Sequence, residues 1–222
     1  MEIPLHLVLK WAHIVAMVYW LGGEWGVFQT SYNVTNPRLS LDERRRHLET
    51  AYRIDILART GIILLLPLGW HMGYNLGAHP YAASVAPVWV LMLAWLALTW
   101  SAFLKRETDV GLKLTRLDEQ LRYALIPILF VSACWSLVTG WPFVADWFSA
   151  KVLLYSLMLV IGLGLRFIMR HWTTIFREIA VHGPTPALEG RLQREITMAR
   201  GMAYVYWIGI GTIAFIGVAK PF

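Results

Sequence analysis

Apolar runs of about twenty residues recur along this chain, and they limit its possible folds more than any other feature. Backbone groups in lipid must be hydrogen-bonded internally, so such a run crosses roughly 30 Å of hydrocarbon as an α-helix. The chain is 57% hydrophobic and 15% charged, whereas about a quarter of a soluble domain is charged. Most of its 12 tryptophans lie near the ends of the runs, as in interfacial aromatic belts. The sequence therefore predicts an all-α integral membrane bundle that lies in a lipid bilayer.

Six of the apolar runs are long enough to cross the membrane as helices. The N-terminal run has no basic segment before it and no small-residue cleavage site, so we expect it to be a retained span. We therefore expect one polytopic membrane domain over residues 1–222. The six predicted spans cover residues 4–28, 54–76, 83–104, 121–140, 148–169 and 198–218.

Lysine and arginine are distributed very unevenly among the connections between these spans. Sixteen of the twenty basic residues lie in connections one, three and five, and the other two connections have none. The positive-inside rule then predicts both termini outside, in a multi-pass protein of the bacterial inner membrane. The same rule explains the net charge of +6 without a nucleic-acid partner. The sixteen residues are Arg38, Arg44, Arg45, Arg46, Arg53, Lys105, Arg106, Lys113, Arg116, Arg122, Arg166, Arg170, Arg177, Arg191, Arg194 and Arg200.

Two of the basic connections contain sequence signals for the start of a helix. Ser40 and Glu43 have the spacing of a capping box, which predicts a helix leading into span 2. Thr185 followed by Pro186 places a capping residue and a first-turn proline before a helix leading into span 6. The connections are therefore expected to be partly helical.

Span 1 carries a stripe of polar and sulfur-containing side chains down one helical face. His6, His13, Met17 and Glu24 share this face, which should point into the bundle because polar groups in lipid are costly. His71 of span 2 should lie at a comparable depth. Two imidazoles on facing helices can hold a haem iron from both sides, so His13 and His71 are candidate metal ligands. His6 and Met17 are substitute ligands, and the alternative is that His13 only hydrogen-bonds a neighbouring helix.

A second polar group is expected deeper in the membrane, towards the basic connections. Asp55 and Arg59 are four residues apart on span 2, and Glu24 should reach the same depth. A structural ion pair among these three residues would make a buried arginine tolerable. The alternative is that Arg59, or Arg53, anchors a haem propionate through a bidentate contact.

The first span also resembles that of a known family. The segments LKWAHIVA (residues 9–16) and WLGG (residues 20–23) are similar to the first span of HemJ-type protoporphyrinogen oxidases. The related CopD-like copper proteins and the membrane part of PuuD-type urate oxidases are similar there too. The resemblance implies binding of b-type haem at His13. HemJ-type proteins have about four spans, whereas six are predicted here.

Three functions remain open on these observations. The first is a haem b protein that transfers electrons between a periplasmic donor and quinone or a partner subunit, or acts as a membrane oxidoreductase. The second is CopD-like copper transport, since His13 with Met17 and Met198 with Met202 offer soft ligands. The third is a non-catalytic anchor or assembly subunit of a membrane complex, which could also be a homo-oligomer.

Overall fold

The computed structural model describes residues 3–221, and nearly all of them are helical. Within that range there is no strand, and a short 3-10 helix at Ala82–Ser84 lies between the second and third long helices. The α2–α3 connection (residues 76–84) and the α4–α5 connection (residues 140–145) contain no Lys, Arg, Asp or Glu and are hydrogen-bonded to each other at one end of the bundle, which we name the uncharged-loop end. The opposite end is the basic-loop end. The long helices are α1 (Leu5–Val34), α2 (Leu41–Asn75), α3 (Val85–Leu104), α4 (Asp109–Thr139), α5 (Asp146–His182) and α6 (Pro186–Ala219).

Five of these helices are long and apolar enough to cross a membrane. They are α1, α3 with its preceding 3-10 turn, α4, α5 and α6, and α2 is not among them. The prediction of a helical protein with several membrane-crossing segments is therefore supported by length and composition.

Several helices extend well beyond the predicted spans, because their ends at the basic-loop end are capped. Ser40 accepts a hydrogen bond from the backbone of Glu43, whose carboxylate accepts one from the backbone of Ser40 in return. Thr185 accepts one from the backbone of Leu188, with Pro186 in the first turn. Both capping predictions are confirmed, and each cap starts a helix that continues without interruption into the apolar run.

Helices α1 and α2 pack against each other at very short range. A Cβ atom on Gly61 would collide with the backbone oxygen of Ala16 and would lie 2.7 Å from the backbone nitrogen of Trp20. A Cβ atom on Gly23 would lie 2.8 Å from that of Ala58. Backbones approach this closely only where one residue lacks a side chain, so these glycines set the α1–α2 distance.

We expect Gly61→Ala to lower the stability of the purified protein by about 1–3 kcal/mol, because the added methyl group has no space against α1. The measurement is the melting temperature in detergent by circular dichroism. Gly22→Ala is the matched control, since a Cβ atom there would have no neighbour within 4 Å. Equal melting temperatures for the two variants would contradict the close α1–α2 packing.

Candidate functional site

An apolar cavity of about 250 Å³ lies towards the uncharged-loop end, between α1, α2, α5 and α6. Its walls are aliphatic and aromatic side chains together with Gly69, Gly73 and Gly217. Among residues 3–221, no carboxylate lines it. The titratable residues in this part of the chain that line the cavity are Lys10, His13, Lys151 and Tyr155.

His13 projects from α1 into this apolar cavity, with its ring against α2. A Cβ atom on Gly69 would lie 3.4 Å from its Cε1 atom, so the absence of a side chain there leaves room for the imidazole. The Nδ1 atom is buried and has no hydrogen-bond partner among the described residues 3–221. Buried polar atoms are nearly always paired, and one that is not needs an explanation such as a ligand or a bound water.

Lys151 brings a half-buried side chain and its ammonium group to the same cavity. Its Nζ atom lies over Gly217 of α6, where an added Cβ atom would collide with it. Lys151 forms no ion pair and no side-chain hydrogen bond with any of residues 3–221. Burying an unpaired charge is expensive, so the apolar cavity suits a ligand that is largely apolar and carries negative charge.

The structure brings only some of the predicted ligands together. Met17 lines the apolar cavity with His13, and Met72 of α2 lines it too. His71 is not among the lining residues. It follows Gly69 by two residues, which is about 200° around the helix, so the two residues lie on different faces of α2.

The remaining predicted cofactor residues lie away from this cavity. His6 is partly exposed, lies about one turn before Leu9, the first buried residue of α1, and does not line the cavity. Arg53 is exposed and pairs with Glu49 at 3.0 Å. Arg59 lines a different cavity. None of these three is therefore placed to touch a ligand bound beside His13.

A layer of aromatic side chains closes the apolar cavity on its deeper side. The Nε1 atom of Trp20 donates a hydrogen bond to the hydroxyl oxygen of Tyr206 over 2.9 Å. The hydroxyl of Tyr155 donates to the backbone oxygen of Ile62 over 2.7 Å. The rings of Tyr155 and Tyr206 both meet Trp20 edge to face. We name Trp20, Tyr155 and Tyr206 the aromatic layer.

A smaller polar cavity, of about 60 Å³, lies on the other side of the aromatic layer. Asp55 and Arg59 line it and form the predicted ion pair along α2. Glu24 lines the same cavity, but it forms no ion pair with any described residue. The structure therefore brings the three residues of the predicted ion-pair group to one place, with only two of them paired.

Asp118 of α4 is the centre of a larger network beside the polar cavity. Its side chain is 1% exposed and accepts hydrogen bonds from Trp95 Nε1 at 2.7 Å and from Thr99 Oγ1 at 2.8 Å. It also pairs with Arg122 of its own helix, 3.3 Å away, and with Arg166 of α5. One carboxylate thus connects α3, α4 and α5.

Sequence reasoning missed this network and Lys151. Arg122 and Arg166 were assigned to the basic connections, but both are buried within helices. Asp118 precedes Arg122 by four residues, the same spacing as in the predicted pair on α2, and this signal could have revealed it. Lys151 stands alone in the apolar run of span 5, where a single lysine is itself an indication of function.

No protein-family model, curated protein or solved structure matches this chain.

We expect Asp118→Asn to destabilise the protein by about 3–5 kcal/mol, because it leaves two buried arginines without their carboxylate. Thermal unfolding in detergent, followed by loss of helical signal, measures this effect. Asp42→Asn is the control, since that carboxylate is 79% exposed and lies 3.7 Å from Arg45. Such a surface pair contributes less than about 1 kcal/mol. Similar melting temperatures for the two variants would show that the Asp118 network does not stabilise the bundle.

Proposed function

We propose that the chain binds b-type haem in the apolar cavity and acts in membrane electron transfer or as a membrane oxidoreductase. The observation that carries this proposal is the buried Nδ1 atom of His13, which has no partner and lines an apolar cavity. Neutral imidazole is a common axial ligand of haem iron. His13 is also the residue at which the resemblance to the HemJ-type family implies haem.

The residues around His13 suit haem in charge and in polarity. The unpaired ammonium of Lys151, and Lys10 at the rim, can neutralise propionates, whereas Arg53 and Arg59 lie elsewhere. Ile14 and Val218 line the cavity and are also exposed on the bundle surface, so the cavity opens between α1 and α6. A ligand can therefore enter from the bilayer. Bound haem would supply one-electron chemistry, and the apolar walls would tune its potential.

Copper binding is the second candidate, and one observation favours it. His13, Met17 and Met72 all line the apolar cavity, so an imidazole and two thioethers surround one space. These ligands suit Cu(I). The charges around the cavity disfavour copper, because two lysines and no carboxylate of residues 3–221 line it. A cation would be repelled there, whereas the propionates of haem would be attracted.

The chemistry of this site limits the biological roles that the chain could have. A haem protein with these helices could pass electrons between a periplasmic donor and quinone, or to a partner subunit. Oxidation of a porphyrinogen, as the HemJ resemblance implies, is a further possibility for the same cavity. An assembly subunit that lacks a cofactor is the alternative if the purified protein contains neither haem nor copper.

We also propose six crossings, with both termini outside the bacterial inner membrane. Helix α2 packs along α1 and α3 and has 35 residues, which is roughly 50 Å at 1.5 Å per residue. Its charged residues inside the bundle, Asp55 and Arg59, pair with each other and need not face lipid. The arginine-rich start of α2 then lies in the cytoplasm by the positive-inside rule.

Cysteine labelling tests this topology. In a Cys134→Ser background, we expect Ala83→Cys to react with an impermeant maleimide in intact spheroplasts. Arg38→Cys, at the other end of α2, should react only after permeabilisation. Both positions are exposed in the structure, so access is limited by the membrane alone. If both cysteines react in intact spheroplasts, or neither does, α2 does not cross.

The haem assignment is tested by a dithionite-reduced minus air-oxidised spectrum and metal analysis of the protein purified in detergent. We expect the Soret and α bands of haem b in the wild type. His13→Ala should lose the bound haem, because it removes the only imidazole that lines the apolar cavity. His71→Ala is the control and should retain the wild-type haem content.

Three outcomes would contradict the haem assignment. A native spectrum in His13→Ala would show that another residue is the ligand. A colourless wild type that contains copper would favour the second candidate. A colourless wild type without metal, expressed with ample haem, would favour the assembly-subunit role.

A further inference from the structure

The polar cavity contains more hydrogen-bond donors than the protein uses. The Nε1 atom of Trp172, the Nη2 atom of Arg122 and the Nε atom of Arg200 are buried and have no partner. All three residues line this cavity. Trp172 is only 2% exposed and Arg122 only 4%. Unpaired buried donors are rare, and three around one small space indicate a ligand that accepts hydrogen bonds.

The charges around the polar cavity also leave a surplus of positive charge. Four guanidinium groups line it, whereas only three carboxylates line it or pair with those arginines. Asp55 and Asp118 are already engaged in ion pairs, and Glu24 lies unpaired among them. The four arginines are Arg59, Arg122, Arg166 and Arg200.

The nature of the ligand follows from these two observations. Water could satisfy the unpaired donors, but it would leave the surplus positive charge in place. An anion satisfies both requirements, and a planar oxyanion matches the fork of a guanidinium group. The donors and the charge therefore favour an anion over water alone.

The size of the polar cavity restricts the anion further. Its volume of about 60 Å³ is a few times the roughly 10–15 Å³ that one water molecule needs by the same measure. That space is too small for a porphyrin or a quinone ring. We propose that the polar cavity is a binding site for a small planar oxyanion of the size of formate or bicarbonate, with the Nε1 atom of Trp172 as one of its hydrogen-bond donors. This site shares no residue with the apolar cavity, so the proposal stands or falls independently of haem.

Equilibrium dialysis with [14C]formate tests this site on the full chain in detergent, in a chloride-free buffer. We expect saturable binding of one formate per chain. Trp172→Phe keeps the ring but removes the unpaired donor, so it should weaken binding about tenfold or more. The matched control is Trp207→Phe, because the Nε1 atom of Trp207 is also buried without a partner but lies outside the cavity. The control should bind formate as the wild type does.

Competition on the unmodified protein gives a second test that needs no variant. Nitrate and bicarbonate should displace formate, whereas benzoate should not, because its ring exceeds the cavity. The proposal is overturned if formate binding does not saturate, which is the result expected for a cavity that holds only water. It is also overturned if the two tryptophan variants lose formate equally, or if benzoate competes as well as nitrate.

Discussion

The buried carboxylate of Asp118 is the interaction on which the rest of the bundle depends. Charged groups inside a helical membrane bundle are tolerated only when they are paired and hydrogen-bonded, and Asp118 achieves this with four donors from three helices. Those bonds set the depth of α3, α4 and α5 relative to one another. They also hold Arg122 and Arg166 beside the polar cavity, so one network both orders the helices and supplies cations to a candidate site.

Much of the fold follows from the sequence because lipid restricts the chain so severely. The apolar runs and the caps at Ser40 and Thr185 predicted where helices lie and where two of them begin. The helices are longer than the predicted spans, and Arg122 and Arg166 are buried inside α4 and α5 although both were assigned to the basic connections. A hydropathy scale counts each charged residue as unfavourable in lipid. It cannot show that a partner on another helix offsets this unfavourable free energy.

The candidate sites were predicted less completely than the fold. His13 was found because a polar side chain stands out in an apolar run, and the structure gives it a cavity. His71 was paired with it from depth alone, but depth does not determine which face of α2 meets α1. Gly69 faces His13 instead. The face of α2 that meets α1 depends on the close packing at Gly61, and such packing cannot be predicted from one sequence. Trp172 became significant only when the lack of a partner for its Nε1 atom was visible.

The aromatic layer gives the two cavities different chemistry. Trp20 donates to Tyr206 and Tyr155 donates to a backbone oxygen, so two of its three polar groups have their donors committed within the protein. Of the three, only the Tyr206 hydroxyl has a donor that is not engaged there, so the layer offers few groups that could relay protons. Electrons need no such relay and can cross a short apolar distance. If haem binds beside His13 as proposed, it would exchange electrons with a partner while the arginines of the polar cavity, and the anion proposed there, stay on the other side of the layer. Such a separation would suit a redox protein that must not leak charge across the membrane.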